Sequence, residues 1–422
     1  MSKIEELITK HCPDGVEYKT LGELGFFYSG LTGKSKDDFK DGNAKFITYM
    51  NVYSNPALNI HVKDTVRIGD NEKQNEVLFG DVLFTGSSET PDECGMSSVV
   101  TEQPIETMYL NSFCFGFRFN EQGKFSPLFL KHLFRSFQMR HQIAKTASGV
   151  TRFNVSKKRF ANIQIPMVPI EIQNEIASIL DNFTTLEAEL EAELEARRKQ
   201  YEYYRNKLLC FNEIGGGIES QVIWMKMSEI FHIKNGYTPS KANPDYWTNG
   251  TIPWFRMEDI RANGRILSDS IQHITPEAVK GGKLFPANSI IVATTATIGE
   301  HALIIADSLA NQRFTFLTKR ESLIPDLDMK YMYYYMFIVD EWCKKNTNVS
   351  GFASVDMGKF KNYLVPIPPL PVQQRIVNVL DNFESLCADL NIGLPAEIEA
   401  RRKQYEYYRN RLLTFTPPRT TN

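Results

Sequence analysis

Few residues in this chain of 422 could do chemistry of their own, and their spacing argues against it. Asn243, Pro244, Asp245 and Tyr246 approximate the Asn-Pro-Pro-Tyr tetrapeptide with which adenine methyltransferases hold a base swung out of the duplex. Aspartate stands at the third position, however, and no glycine-rich cofactor loop follows an upstream strand, so no catalysis is expected there. Gly30, Leu31, Thr32, Gly33, Lys34 and Ser35 approximate a phosphate loop, but the required first glycine falls on Tyr28, which leaves no ATP site. Six cysteines (Cys12, Cys94, Cys114, Cys210, Cys343, Cys387) show no CxxC spacing, and seven histidines form no HExxH. Buried thiols in a reducing cytoplasm are expected, and no metal site.

What remains is the chemistry of contact. Lys34 and Lys36 lie in a glycine-containing loop, and Lys241 stands at the matching place later in the chain. Arg152, Lys157, Lys158 and Arg159 form a basic run, answered by Lys359 and Lys361, while Arg256, Arg261 and Arg265 gather in a polar stretch with Asn263 and Gly264. Such side chains hold phosphates, and arginine can also read guanine with two hydrogen bonds. Any such contact must be local, because 48 Lys plus Arg against 50 Asp plus Glu give a net charge of -2.

The elements that position these residues occur twice. EARRKQYEYYRN at 195–206 returns without change at 399–410. Upstream, ASILDNF ends at Phe183 and VNVLDNF at Phe383, with Gln173 and Gln373 before them at the same offset of 200. Ser148 and Gly149 against Ser350 and Gly351, Phe160 against Phe360, and KFITYMN at 45 against TIPWFRM at 251 extend the correspondence. The chain is a tandem duplication. Where its halves correspond but differ, as at Asn51 and Arg256, sequence readout is the expected use.

From Glu171 to Leu209 there is no glycine or proline, and Ile172, Ile176, Ile179, Phe183, Leu186, Leu190, Leu194, Tyr201, Tyr204 and Leu208 recur at steps that place one stripe on one helical face. A helix of that length, roughly 60 Å, is too long for one small domain to cover. Its duplicate supplies a partner, and antiparallel pairing lets both halves make the same docking contact. The second copy is four residues longer and contains Gly393, Leu394 and Pro395, which should break or kink it near Asn391. The first carries LEAELEAELEA, which reads equally as an acidic solvated face and as a rigid spacer. Each preceding segment of about 160 residues mixes short β-branched and aromatic runs with one clear helix, SPLFLKHLFRSFQMRHQIAK at 126 and DMKYMYYYMFIVDEWCKK at 328. This is an α+β pattern in which Tyr331, Tyr334, Tyr335 and Ile338 belong to a core. In the repeated dodecapeptide, Arg197, Arg198, Tyr203 and Arg205, with Arg401, Arg402, Tyr407 and Arg409, are of the types enriched in interface hot spots, and internal identity is what two equivalent partner subunits would need.

Two differing globular halves, each followed by Q-x(6)-LD and a near-identical second block, with SG-x(5)-V at 148–155 before F-x(4)-(I/V)P, resemble the specificity subunit of type I restriction-modification systems. The resemblance covers nearly the whole chain. It implies an α+β protein of two target-recognition domains, 1–168 and 212–368, separated by two long antiparallel helices, 169–211 and 369–416, the second kinked near Pro395, that form a coiled coil with pseudo-two-fold repeat symmetry. It further implies a cytoplasmic, non-enzymatic, sequence-specific DNA-binding subunit that addresses adenine methylation and restriction to a split, asymmetric target. Two methyltransferase subunits and motor-endonuclease subunits would be its partners, carrying S-adenosylmethionine, ATP and Mg, with no cofactor or metal in this chain and no membrane. A specificity module of a methylase-only or type II-like assembly is the alternative.

Overall fold

The computed structural model describes residues 3–211, 222–320, 326–348, 353–388 and 393–418. Ser350, Gly351, the glycine cluster at 213–218 and Asn391 lie outside them. Two compact units emerge, one of 1–191 with 397–422, the other of 192–396. Each takes helical residues from both halves of the repeat, so the compact bodies and the expected sequence segments divide the chain differently. No helix among the described residues is long and apolar enough to cross a membrane.

In the first unit an antiparallel sheet is ordered Gly25–Ser29, Cys114–Phe119, Val82–Thr85, Ser97–Val99. The central strand Val82–Thr85 is buried throughout because both of its faces are covered, whereas the outer strand Gly25–Ser29 leaves Phe26 exposed. Val82 and Phe84 point into the main core with Phe117, Phe129, Phe134 and Phe160, whereas Leu83 points into a second core with Ile47, Val52 and Leu110. A ribbon pairing Tyr18–Thr20 with Gln164–Pro166 closes the start of the domain onto its end. The second unit repeats the plan. Ile290 and Val292 enter one core, Ile291 and Ala293 another, and Ile223–Lys226 pairs with Leu364–Ile367.

The expected helix at 126 is broken, running Pro127–Leu133 and then Phe137–Ala144. Ser136 caps the second piece by accepting from the Met139 amide at 3.4 Å, and the intervening Arg135 donates to the carbonyls of Ser97, Val52 and Tyr53. Its counterpart is unbroken from Met329 to Lys345, and Tyr331, Tyr333, Tyr334 and Tyr335 are buried.

The long helix spans Ile170–Leu209. Its duplicate appears as Leu370–Ala388 and Leu394–Leu412, with Pro395 in the first turn of the latter, where the missing amide hydrogen would have had no partner; proline begins a helix here and does not kink one. The Q-x(6)-LD element has a plain mechanical meaning. Gln173 is fully buried; its Oε1 accepts from the Ser126 amide at 2.8 Å, and its Nε2 donates to the carbonyls of Lys124 at 3.1 Å and Val168 at 2.7 Å. Gln373 does the same with Asp328, Asp326 and Pro368 at 2.8, 3.2 and 2.7 Å. One amide therefore ties the root of each long helix to the root of the domain helix. Two turns on, the aspartate is gripped differently in each copy. Asp181 meets Lys131 at 2.7 Å and His132 Nε2 at 2.6 Å, and His132 Nδ1 lies 3.0 Å from the Tyr405 hydroxyl. Asp381 meets Lys330 at 2.7 Å and accepts from the Tyr334 hydroxyl.

Each first helical block receives the other copy's dodecapeptide. In the first unit Phe183 stacks on Tyr408 with centroids 5.3 Å apart, and Arg402 reaches Glu187 and Glu191. In the second, Tyr204 stacks on Phe383 at 5.9 Å while Leu209 enters the core beside Ile376 and Leu380. Rising numbers on one helix meet falling numbers on the other in both units, so the pairing is antiparallel. The apolar stripe is less regular than its spacing implied, since Leu186 is exposed and Leu180, on the same helix, is fully buried.

Replacing Gln173 or Gln373 by alanine strands one buried amide and two buried carbonyls, and each change should cost about 2–4 kcal/mol in denaturant unfolding, several times the cost of removing surface Gln200. A pH dependence also follows. Burial lowers the His132 pKa, and Asp181, although burial raises it, is held below the usual carboxylate range by His132 and Lys131. Both contributions are complete above the ordinary histidine value of about 6.5 and are lost as pH falls through the lowered folded values. Tyr334 is raised by burial and by the carboxylates of Asp381 and Glu384, so its contribution is complete below about 10 and is lost as pH rises. All four tryptophans (Trp224, Trp247, Trp254, Trp342) lie in the second unit. Acid should therefore loosen hydrogen-exchange protection in peptides around Ile172–Phe183 before tryptophan emission changes.

Candidate nucleic-acid interface

The basic run at 152–159 is built on a small sheet, Ala147–Ser148, Phe153–Val155 and Ser87–Ser88. Ser156 caps the short helix Lys157–Phe160, and Phe160 plugs the core, so the turn is fixed by its buried end. Lys157, Lys158 and Arg159 point out to solvent; Lys157 lies 5.4 Å from the Phe115 ring centroid. Arg152 donates to Ser87 Oγ at 3.0–3.1 Å and covers the Phe113 ring at 5.7 Å. In the second unit Thr347–Asn348 pairs with Ser354–Val355, Thr295 bridges to Ser354, and Asp356 caps Met357–Lys361, on which Lys359 and Lys361 are exposed. Lys359 has a loose ion pair with Asp356 at 3.7 Å. Lys36, Lys241 and Arg261 are exposed as well.

Other expected contacts are turned inward. Lys34 is nearly buried, donating to the Arg67 carbonyl at 2.6 Å and pairing with Glu72, whose pKa that lysine holds down to about 2. Asn51 is buried, its amide spent on its own loop: Nδ2 donates to the Asn59 carbonyl at 2.8 Å, and Oδ1 accepts from Asn55 at 2.9 Å and from the Asn59 amide at 3.2 Å. Nor is Arg256 its counterpart. The amides of Asn111 and Asn311 donate to the carbonyls of Ile47 and Phe255, both at 3.0 Å, which aligns Thr48 with Arg256 and Asn51 with Asp259. Asp259 is a loop fastener too, accepting from the amides of Arg256 and Ile271 at 2.6 Å each. Arg256 itself begins a helix, with its guanidinium 5.8 Å from the Trp254 ring centroid. Arg265 donates to the His301 carbonyl at 3.1 Å and lies within 4 Å of Glu300 and Asp340. Lys34, Asn51 and Arg265 thus spend polar groups on partners within their own unit.

The dodecapeptides divide likewise. Arg205 lies 4.2 Å from the Phe337 ring centroid and 5.4 Å from that of Tyr201, and Arg409 lies 5.2 Å from that of Tyr405, so this pair serves internal docking. Arg197 and Arg401 make i,i+4 pairs with Glu193 and Glu397 and are half-buried. Arg198 is exposed, whereas Arg402 is tied to Glu187 and Glu191. Tyr203 and Tyr407 are each 59% exposed, the largest apolar groups the repeated block offers to solvent.

The look-alike motifs resolve plainly. Asn243 accepts from the Asp245 amide at 3.2 Å and caps one 3-10 turn, Pro244–Tyr246. Among the described residues no group of three or more His, Cys, Asp and Glu side chains could hold a metal ion. Cys94, Cys114 and Cys343 are buried free thiols, and burial pushes Cys114 and Cys343 up to about 12. Sequence patterns missed the braces of the interface. Arg140 donates to the carbonyls of Gly95, Asp92 and Cys94 at 2.6–2.7 Å, and with Arg135 it fixes the segment that follows Ser87–Ser88. They also missed the turns beginning at Asn111 and Asn311, although NSFCFGF and NQRFTFL recur at the offset of 200.

The family model for the type I restriction modification DNA specificity domain matches residues 13–196 and again 221–400. The chain is 52% identical over 217 residues to the type I restriction enzyme EcoprrI specificity subunit of Escherichia coli, covering 50% of this chain and 54% of that one. It is 40% identical over 266 residues to the EcoR124I/EcoR124II specificity subunit of the same species, covering 61% and 63%. It therefore spans between half and two thirds of the length of these curated relatives. A solved chain from work on complex assembly and conformational transition of the type I R-M system shares the fold, with TM-score 0.68 at 17% identity, 95% of this chain and 98% of that one.

If the solvent-facing run holds phosphates, the double change Lys158→Ala, Arg159→Ala should weaken binding to any mixed-sequence duplex and flatten the log–log salt slope by about 2, with little effect on the melting temperature. Lys34→Ala should do the opposite, lowering the melting temperature and leaving the slope alone. Fluorescence anisotropy across a salt titration, with a parallel thermal melt, measures both.

Proposed function

The chain belongs to the type I restriction modification DNA specificity family, and from that premise we propose that it is a cytoplasmic, non-catalytic specificity subunit giving a methylating and restricting complex its DNA address. One observation carries this: a single scaffold is built twice, with the same buried glutamine clamp in each copy, while the surfaces the two copies offer to solvent differ. Constant docking and variable reading are what two half-site readers in one chain require. Arg152, Lys157, Lys158 and Arg159 in the first unit, and Lys241, Arg261, Lys359 and Lys361 in the second, with Lys36, would hold phosphates. Two methyltransferase subunits would dock on the repeated block, each meeting an exposed tyrosine, Tyr203 or Tyr407, beside Arg197 and Arg198 or Arg401 and Arg402. Those subunits would carry S-adenosylmethionine and its methyl transfer, and motor-endonuclease subunits the ATP and Mg chemistry.

Exchanging residues 1–165 for those of another family member should change one half of the methylated target and leave the other half intact. Single-molecule methylome mapping reads this directly; a change in both halves, or in neither, would show that the units are not independent readers.

A further inference from the structure

Resting on that DNA-reading role, we propose that the turns Asn111–Phe113 and Asn311–Arg313 are the base-reading tips of the two units. The backbone of the two turns is the same to the bond. Asn111 Oδ1 accepts from the Phe113 amide at 2.8 Å and Asn311 Oδ1 from the Arg313 amide at 3.0 Å. The amides of Cys114 and Phe314 then return to the carbonyls of Asn111 and Asn311 at 3.0 and 3.1 Å. Each turn is walled by a glycine that cannot be replaced: a Cβ on Gly30 would stand 2.0 Å from the Asn111 carbonyl oxygen, and one on Gly236 would stand 2.6 Å from that of Asn311. The carbonyl of residue 113 accepts from Gly86 at 2.7 Å, and that of 313 from Thr294 at 3.0 Å. Each tip is thereby tied to the residue preceding Ser87, a member of the small sheet that carries the first basic run, or preceding Thr295, which bridges to Ser354 in the sheet beside the second.

On this common frame the side chains are unlike. The first unit presents Ser112 and Phe113, the latter 59% exposed beneath the Arg152 guanidinium. The second presents Gln312, whose Oε1 accepts from the Thr238 hydroxyl, and Arg313, which is exposed and makes no side-chain bond among the described residues. A fixed frame with exchanged tips is what recognition of different half-sites from one fold needs. Arginine reaches guanine O6 and N7 with two donors, glutamine pairs with adenine N6 and N7, and phenylalanine meets the thymine methyl or wedges between base steps. The second half-site should therefore contain a guanine under Arg313, and the first an apolar contact under Phe113.

The test is selection from a randomised duplex pool by the full chain in its methylating assembly, followed by sequencing of the bound fraction. Arg313→Ala should relax the preference for one guanine by roughly 10- to 100-fold, leaving the sequence of the other half-site unchanged. The transplant Ser112→Gln with Phe113→Arg should alter only the opposite half-site. If both variants enrich the wild-type sequence, or lose affinity evenly over all sequences, the tips are not readers and the proposal is overturned. If the wild-type assembly itself enriches no split sequence, the DNA-reading role fails first and takes the tips with it. Both positions are exposed, so a shifted melting temperature would likewise count against the assignment by revealing a structural role.

Discussion

A helix of 40 residues carries more apolar face than one domain of this size can bury, and that mismatch governs the fold. The first part of Ile170–Leu209 is buried by its own domain and by the dodecapeptide of the second copy; its last part is buried by the other unit and Leu370–Ala388. Neither unit is complete without helical residues contributed by both halves of the duplication. Gln173 and Gln373 make this geometry reproducible, since each buried amide accepts once and donates twice at the point where a long helix leaves its domain. A helix fixed at its root by three bonds has one direction in which to run.

That constraint separates what is held constant from what varies. The clamps, the antiparallel aromatic stacks and the arginine lids at Arg205 and Arg409 are internal, and internal contacts between duplicated elements must match on both sides. Surface residues have no such obligation. Lys157, Lys158 and Arg159 stand where the second copy offers Lys359 and Lys361, and Phe113 stands where it offers Arg313. Divergence at a solvent-facing tip changes no core contact, so the domains can differ in what they touch without differing in how they fold.

Much of this was legible in the sequence, for physical reasons that can be named. The long helix declared itself through an unbroken period of three and four, and the duplication through literal identity. The aromatic stripe at Tyr331, Tyr334 and Tyr335 read correctly as core, but Met332 and Tyr333, which lie off that stripe, are buried as fully, because the helix is covered on more than one face. Individual contact residues were not legible. Lys34 and Lys158 look alike in a sequence, yet one is closed over Glu72 and a carbonyl and the other faces water, and only tertiary packing decides between them. Asn51 against Arg256 failed because alignment by pattern slipped by a few residues, whereas the hydrogen bonds of Asn111 and Asn311 fix the register without ambiguity. A helix at 126 reads straight through Ser136 because no glycine or proline marks the break; the break accompanies long-range bonds of Arg135 to carbonyls about 40 and 80 residues away in sequence.

Identity of sequence also proves weaker than identity of surroundings. The dodecapeptides agree at every residue, yet Arg402 faces Glu187 and Glu191 from the acidic run LEAELEAELEA, and that run occurs once. Arg198, its twin, meets no such carboxylate among the described residues and is exposed. An exposed ion pair contributes little to stability, on the order of 1 kcal/mol or less, so the difference hardly affects the fold. It does affect what the second copy can offer: a guanidinium already bonded to two carboxylates must release them before it can bind anything else. Tyr203 and Tyr407, exposed to the same degree, are among the surface groups that the two copies present alike, with Arg197 and Arg401 in matching ion pairs beside them. The two copies thus present a like aromatic group beside unlike charge, a difference set by the acidic run rather than by the repeated block.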